Sequence, residues 1–527
     1  MTAPYVPFVL HNMDGILAVS ACTVALYWAY TFLRGLQAVH YVPGYRPMFS
    51  PLTLFGAILP MTWWNLGLNW TWKYRKTAYF DHKHDVISMV PWLHGQPSFY
   101  ICSLDVTKQL LSDETRMYKP RELSVPLLQW GENIFSANKE EWKRYRRLMN
   151  PAFNAKTYAM VLTQTSKIYS EIMEFEGWEG KSEITIDSFS PLTLRTAFLV
   201  MARCAFGMQL AWVSGNNEKL IDDMDVGSAL NLVLDTTILR LVIPRWLYHL
   251  PIPRLQRIDR TWKSFAKFMK ASVQARYEEI SGNPDLLNTS SDVFTRLVHS
   301  IDGEGKNKLD IDEVIGNTFM LMFAGHETTG IVLAETLAYL ALNPEEQLKA
   351  YNEILSIIST RDPSLDDLSQ LHHTVACFYE ALRLYPAGQT LTRTAAEDIP
   401  VHVSRPSEAI MVLPKGSMLM IDMIGIHRNP NVFSEPETFK PARWYGVSEP
   451  DVSTFGAGAR ACLGRRFGLI EALSFLSLFL RDWEVSPSLH NGETFQQYEE
   501  RVMSHAGHVG LSFGVTRPIG LVLRRRH

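Results

Sequence analysis

Residues 455–464 read FGAGARACLG, and the rest of the chain is interpreted outward from them. A single cysteine, Cys462, sits in a glycine-rich loop, and the apolar run from Leu463 to Trp483 predicts a helix directly after it. A cysteine at a helix N-terminus meets unpaired backbone N–H groups and the positive dipole end, both of which favour the thiolate. Gly456, Gly458 and Gly464 let the backbone turn tightly and lie flat against a planar, bulky neighbour. Arg460, two residues before the cysteine, is placed to meet an anion. A thiolate, a flat neighbour and an anion together describe haem with its propionates, and cysteine-ligated haem activates oxygen. The competing reading is a buried free cysteine in a turn, and the remaining sequence has to decide between them.

Bulk properties narrow the choice. With 527 residues, 46% hydrophobic and 20% charged, the chain can bury a sizeable core and is not disordered. No Pro/Gly/Ser-rich linker or repeat interrupts residues 81–527, which are expected to form one large catalytic domain. A net charge of −3 gives no footing for nucleic acid. Five cysteines, at 22, 102, 204, 377 and 462, are odd in number and scattered, without a CxxC pair. That argues against a disulfide framework or zinc site and suits a reducing compartment.

Gly15 to Leu33 is nineteen residues without a charge, the length needed to cross a bilayer as a helix. Residues 1–14 contain no Lys or Arg, which disfavours a cleaved signal peptide. Positive charges follow instead, at Arg34, Arg46, Lys73, Arg75 and Lys76, so residues 1–36 are expected to anchor a cytosolic body. Residues 37–80 are expected to form a Pro/Trp-rich, membrane-associated linker. The uncharged run Pro47 to Trp72, with Pro51, Pro60 and Trp63, Trp64, Trp70 and Trp72, suits an interfacial segment better than a straight span. In that orientation the sequons at Asn69 and Asn288 stay unglycosylated.

Further stretches carry chemistry. Glu140 to Arg147 opens a helix ending at Pro151, with Trp142 and Arg146 on one face. Asp312 to Leu342 predicts a long helix, apolar nearly all round and therefore buried, interrupted at Ala324-Gly325-His326-Glu327-Thr328. His326, Glu327 and Glu335 argue against a membrane span there. A Thr beside an acid can bond back to a carbonyl and open the helix locally. Glu380 and Arg383 lie i,i+3 on a helix expected from about Leu368 to Leu384. Arg393 follows, then Phe439-Lys440-Pro441-Ala442-Arg443-Trp444. Leu230 to Leu255 is apolar and broken by Pro244, Pro251 and Pro253.

In this order, WxxxR, AGxET, ExxR, FxPxRW and FxxGxRxCxG resemble the motif set of the cytochrome P450 family, of microsomal and fungal type. The resemblance implies a mainly α fold with small β-sheets, a single large cytochrome P450 fold preceded by an N-terminal transmembrane helix. It implies haem b (iron protoporphyrin IX) with Cys462 as the axial iron ligand. Phe455, Gly458, Arg460 and Gly464 would form the haem loop, while Trp142, Arg146 and Arg393 would reach the propionates. Thr328 and Glu327 would serve oxygen binding and proton delivery, with no role for His326. Glu380, Arg383 and Arg443 would be a scaffold triad, and residues 230–255 would line the substrate entrance.

The activity so implied is monooxygenation: one atom of O2 enters a lipophilic substrate and the other leaves as water. No GxGxxG opens a strand–helix unit, so electrons are expected from a separate NADPH-cytochrome P450 reductase, with cytochrome b5 as an optional second donor. Lys143, Arg144, Arg147, Arg465 and Arg466 could form a basic patch for such a donor. The expected location is the endoplasmic reticulum membrane, and the expected substrate class a sterol, triterpenoid or other secondary metabolite. Two other readings stand beside it: a peroxide-using or rearranging haem-thiolate enzyme, and a membrane haem or lipid binder without catalysis.

Overall fold

The computed structural model describes residues 6–213, 221–283, 285–286, 292–447 and 453–526. The Asn288 sequon lies outside them. The chain divides into two compact units, Met1–Tyr118 with Thr390–Val432, and Lys119–Gln389 with Phe433–His527.

The first unit begins with helix α1, Val6–Ala38. Within it Gly15–Ala38 is 24 residues long, has mean hydropathy 1.7 and is unburied, so it is long and apolar enough to span a bilayer. Its end is tied down: Phe32 stacks on Trp92 with centroids 3.8 Å apart. Gly35 comes so close to Val90 that a Cβ would stand 2.7 Å from Cγ1. Beyond it lies a six-stranded sheet in the order Gly44–Tyr45, Val86–Met89, Ser98–Ile101, Met418–Asp422, Thr390–Ala395, Met117–Tyr118.

The tryptophan-rich run divides into two kinds of residue. Trp63 is 88% exposed, with Leu54, Phe55 and Ile58 exposed nearby. Trp70 and Trp72 are buried, and Trp70 packs with Leu66, Tyr79, Ile87, Tyr100 and Met420. Composition cannot separate these roles; the strands behind Trp70 supply the partners that Trp63 lacks. Residues 37–80 therefore contribute an edge strand and core side chains to this unit.

The second unit is built on helices. Among them, in chain order, are α2 (Lys139–Met149), α3 (Ala155–Phe175), α4 (Ser190–Ala205), α5 (Val226–Asp235), α6 (Pro253–Gly282), α7 (Ile311–Leu342), α8 (His372–Leu384) and α9 (Arg465–Asp482). Helix α7 starts at a capping box, in which Asp310 accepts from the Glu313 N–H while the Glu313 side chain accepts from Asp310 N–H. It stops at Asn343, before Pro344. Its 32 residues, about 48 Å at 1.5 Å each, are buried nearly throughout, and α4 packs along it. Helix α8 begins later than the sequence suggests. Ser364 and Asp367 form their own capping box around a single turn, Leu365–Leu368, and the chain restarts at His372. Near the C-terminus, Ala506–Val509 and Ser512–Val515 form an antiparallel hairpin.

Trp70→Ala should lower the unfolding free energy by about 3–5 kcal/mol. Chemical denaturation of the full chain in detergent checks this; a Trp63→Ala control should stay within about 0.5 kcal/mol.

Candidate active site

Cys462 is held by a loop folded back on itself. Short 3-10 turns at Ser453–Phe455 and Gly458–Arg460 flank Gly456 and Gly458, whose φ values of +75° and +68° only glycine adopts without strain. The Cys462 N–H donates to Phe455 O at 2.9 Å, closing the turn. The side chain of Cys462 is exposed. Helix α9 starts only at Arg465, after Gly464 as N-cap. A Cβ on Gly464 would meet nothing within 4 Å, so open space lies beside the loop.

Surrounding protein pushes the Cys462 thiol up, and the Gly464 N–H, Arg146 and Arg465 pull it back without outweighing that effect. The polar groups anticipated around the sulfur are present and favour the thiolate.

Helix α2 delivers its predicted pair to this loop. Arg146 Nη1 donates to Ala461 O at 3.1 Å, and Arg460 Nη2 donates to Ala137 O at 2.8 Å. Both guanidiniums lie against Trp142, 5.8 Å and 4.7 Å from its ring centroid. Burial disfavours the charge on Arg146, and no carboxylate pairs with it among the described residues. A half-buried cation facing a reachable thiol and open space fits an anionic, sulfur-ligated group such as haem.

Along α7 the residues Ala324, Gly325 and Thr328 are only half-buried, whereas His326 and Glu327 are buried. The three share one side of the helix, and Met201 lies against Gly325, where a Cβ would be 1.6 Å from Cε. Thr328 Oγ1 donates back to Ala324 O at 2.9 Å, as anticipated, yet the helix continues through this turn without a break. Gly468 of α9 comes up beside the neighbouring Thr329, where a Cβ would be 3.4 Å from Oγ1. Glu327 accepts from Ser512 Oγ at 2.5 Å and from the Leu511 N–H at 3.2 Å. Burial, foremost, holds its carboxyl up at about 7. His326 is pulled down to about 4 by burial; its ring nitrogens meet Met322 O at 2.7 Å and Asn231 Oδ1 at 3.2 Å.

Glu380 and Arg383 are fully buried and bonded twice, both at 2.9 Å. Arg443 Nε, Trp444 Nε1 and the Lys440 N–H each donate to the same carboxylate at 2.9 Å. Arg393 belongs to the first unit, where Nη2 pairs with Glu114 at 3.0 Å and Nε makes no hydrogen bond among the described residues. The basic patch is smaller than its sequence: Arg144 is engaged by Glu313 and Lys308 O, and Lys143 pairs with Glu140. The hairpin contacts to Glu327 were missed, because Ser512 lies 185 residues away and no local pattern marks it. Trp444 and Lys440 as donors to Glu380 were likewise unread, although both sit in a quoted motif.

Comparisons with known proteins agree with this geometry. The family model for cytochrome P450 matches residues 52–511. The chain is 30% identical over 506 residues to cytochrome P450 monooxygenase 124 of Postia placenta, spanning 94% of this chain and 96% of the relative. It is 28% identical over 399 residues to the cyclooctat-9-en-7-ol 5-monooxygenase of Streptomyces melanosporofaciens, spanning 74% and 80%. Human cytochrome P450 4F12 is 28% identical over 411 residues, spanning 74% and 76%. Among solved structures, the haem domain of a cytochrome P450DA mutant superposes with a TM-score of 0.65 at 20% identity, covering 84% of this chain and 90% of that one, a likeness of fold.

Two outcomes are expected. Arg443→Ala removes one donor from a wholly buried carboxylate and should cost about 3–5 kcal/mol, read as lost haem-loaded protein on expression. Glu327, whose carboxyl in the folded chain titrates near 7 rather than at its unfolded value, favours folding below that unfolded value. That contribution is lost as pH rises through about 7. Glu327→Gln should therefore gain melting temperature relative to the parent as pH is raised from about 5 to about 8; parallel curves would contradict this.

Proposed function

The chain belongs to the cytochrome P450 family, and from that premise we propose a membrane-anchored monooxygenase fed with electrons by a separate NADPH-dependent reductase. Members of the family bind haem iron, and the chain is an oxidoreductase of that class. Bound haem supplies the iron at which dioxygen is activated. The other requirements fall to the residues of this chain.

In this reading Cys462 is the iron ligand, and Trp142, Arg146 and Arg460 receive the propionates. Phe455, Gly458 and Gly464 shape the loop. Thr328, half-buried on α7, and Glu327 serve proton delivery. Glu380, Arg383 and Arg443 hold the scaffold and touch no substrate. The observation that carries the proposal is Arg146: a half-buried cation without a carboxylate, bonded into the loop of an exposed cysteine.

Helix α1 would fix residues 1–36 in the endoplasmic reticulum membrane, with residues 81–527 as the cytosolic catalytic region. The exposed apolar residues Ile238, Leu241, Trp246 and Ile252 in the second unit suit entry of a lipophilic substrate. A relative named for acting on cyclooctat-9-en-7-ol keeps a cyclic terpenoid-like substrate foremost, a sterol or triterpenoid included. Exposed Arg147 and Arg466 offer a reduced basic face for an acidic reductase, or for cytochrome b5.

Carbon monoxide difference spectra of the reduced membrane fraction test the ligand: Cys462→Ser should abolish the thiolate-type band. Titration of the ferric protein with a lanostane-type triterpenoid should shift the Soret band to shorter wavelength. Thr328→Ala should keep the carbon monoxide band and consume NADPH with little product. Equal product from peroxide alone, without NADPH or reductase, would replace this reading by a peroxide-using one.

A further inference from the structure

The hairpin Ala506–Val509/Ser512–Val515 meets α7 at backbone range over two helical turns. Glu327 Oε2 accepts from the Ser512 hydroxyl at 2.5 Å and from the Leu511 N–H at 3.2 Å, while Oε1 is 3.4 Å from that same N–H. Two turns on, Glu335 Oε1 accepts from the Val515 N–H at 2.8 Å. The approach requires glycine. A Cβ on Gly510 would lie 1.8 Å from Glu327 Oε1, and Gly510 has a φ of +59°. On Gly514 it would lie 2.4 Å from Ile331 Cγ2 and 2.8 Å from Glu335 Oε1.

A neutral carboxyl carries one hydrogen, and an oxygen already accepting two donors is the poorer place for it. In Glu327 that oxygen is Oε2, so the hydrogen belongs on Oε1, above Gly510. We propose that Ser512 is the positioning residue of Glu327, its hydroxyl fixing the carboxyl's orientation and keeping the transferable proton on Oε1. This rests on the reading of Glu327 as part of proton delivery. Ser512 acts through Glu327 and touches no reacting atom.

The surroundings set the sign. Burial, foremost, and Asp235 of α5 favour the neutral carboxyl; the Ser512 hydroxyl and the Leu511 and Ser512 N–H groups favour the carboxylate. From α4, Leu194, Phe198 and Met201 come against Gly330, His326 and Gly325. His326, next on the helix, is kept neutral by burial and faces Asn231. Removing the hydroxyl therefore raises the pH at which Glu327 gives up its proton.

The test is infrared titration of the full-length, haem-loaded protein, with the Glu327 carboxyl band assigned by its loss in Glu327→Gln. Ser512→Ala should move the midpoint up by about one pH unit, a hydrogen bond to a charged group being worth roughly that much. Ser512→Thr, which keeps a hydroxyl, should restore the parent midpoint. If Ser512→Ala does not load haem, Ser512→Cys, a weaker donor, should give a smaller shift in the same direction. An unmoved midpoint in the variant that loads overturns the proposal. NADPH-coupled turnover against pH separates the two layers. A shifted midpoint with an unshifted profile upholds Ser512 as positioning residue and removes Glu327 from proton delivery.

Discussion

A buried charge is tolerated only when it is completely paired, and the second unit is arranged around one such charge. The Glu380 carboxylate receives five donors, two from Arg383 and one each from Arg443, Trp444 and the Lys440 backbone. These partners come from two separate parts of the chain, α8 and the segment that leads into the cysteine loop. Arg383 in turn donates to Pro436 O and Thr438 O, so the segment's backbone is held as well as its side chains. Leaving out any one partner exposes the others to an uncompensated charge. The network therefore specifies a unique route for the chain before it reaches Cys462.

The cysteine loop gains a second restraint from α2. Arg146 bonds Ala461, Arg460 bonds Ala137, and both guanidiniums lie against Trp142. Two like charges are thus brought to one aromatic ring beside the thiol. An arrangement of that kind is costly in the chain by itself and favourable once an anion is present, as the family's haem propionates provide. Folding and cofactor capture are in this sense one process at the site.

How much of this could be read from the residues alone depends on the range of the interaction. The loop around Cys462 was legible because its requirements are local: glycines where φ is positive, an arginine two residues before the sulfur, a helix after it. Helix α7 was legible from its uninterrupted apolar character and its flanking Pro344. Contacts across long sequence separation left no local trace, which is why Ser512 and Leu511 on Glu327 went unread. The break between Leu368 and His372 was missed because a competing cap, Ser364 with Asp367, outweighs an apolar pattern that would otherwise run on. Trp63 and Trp70 look alike in sequence, and only the strands packed behind Trp70 distinguish them. Arg144 looked like a free surface cation until Glu313, in the first turn of α7, claimed it.

The closeness of the hairpin to α7 also restricts which changes the protein can accept together. Positions 510 and 514 have no room for a side chain so long as glutamates occupy 327 and 335. Single substitutions at either glycine are therefore closed, and a shorter acid on the helix does not open them by itself: position 510 keeps its positive φ, and at 514 Ile331 Cγ2 still stands 2.4 Å from a Cβ. Libraries that vary this hairpin one position at a time will report it as immutable, and a combination that frees position 514 has to shorten Ile331 together with Glu335.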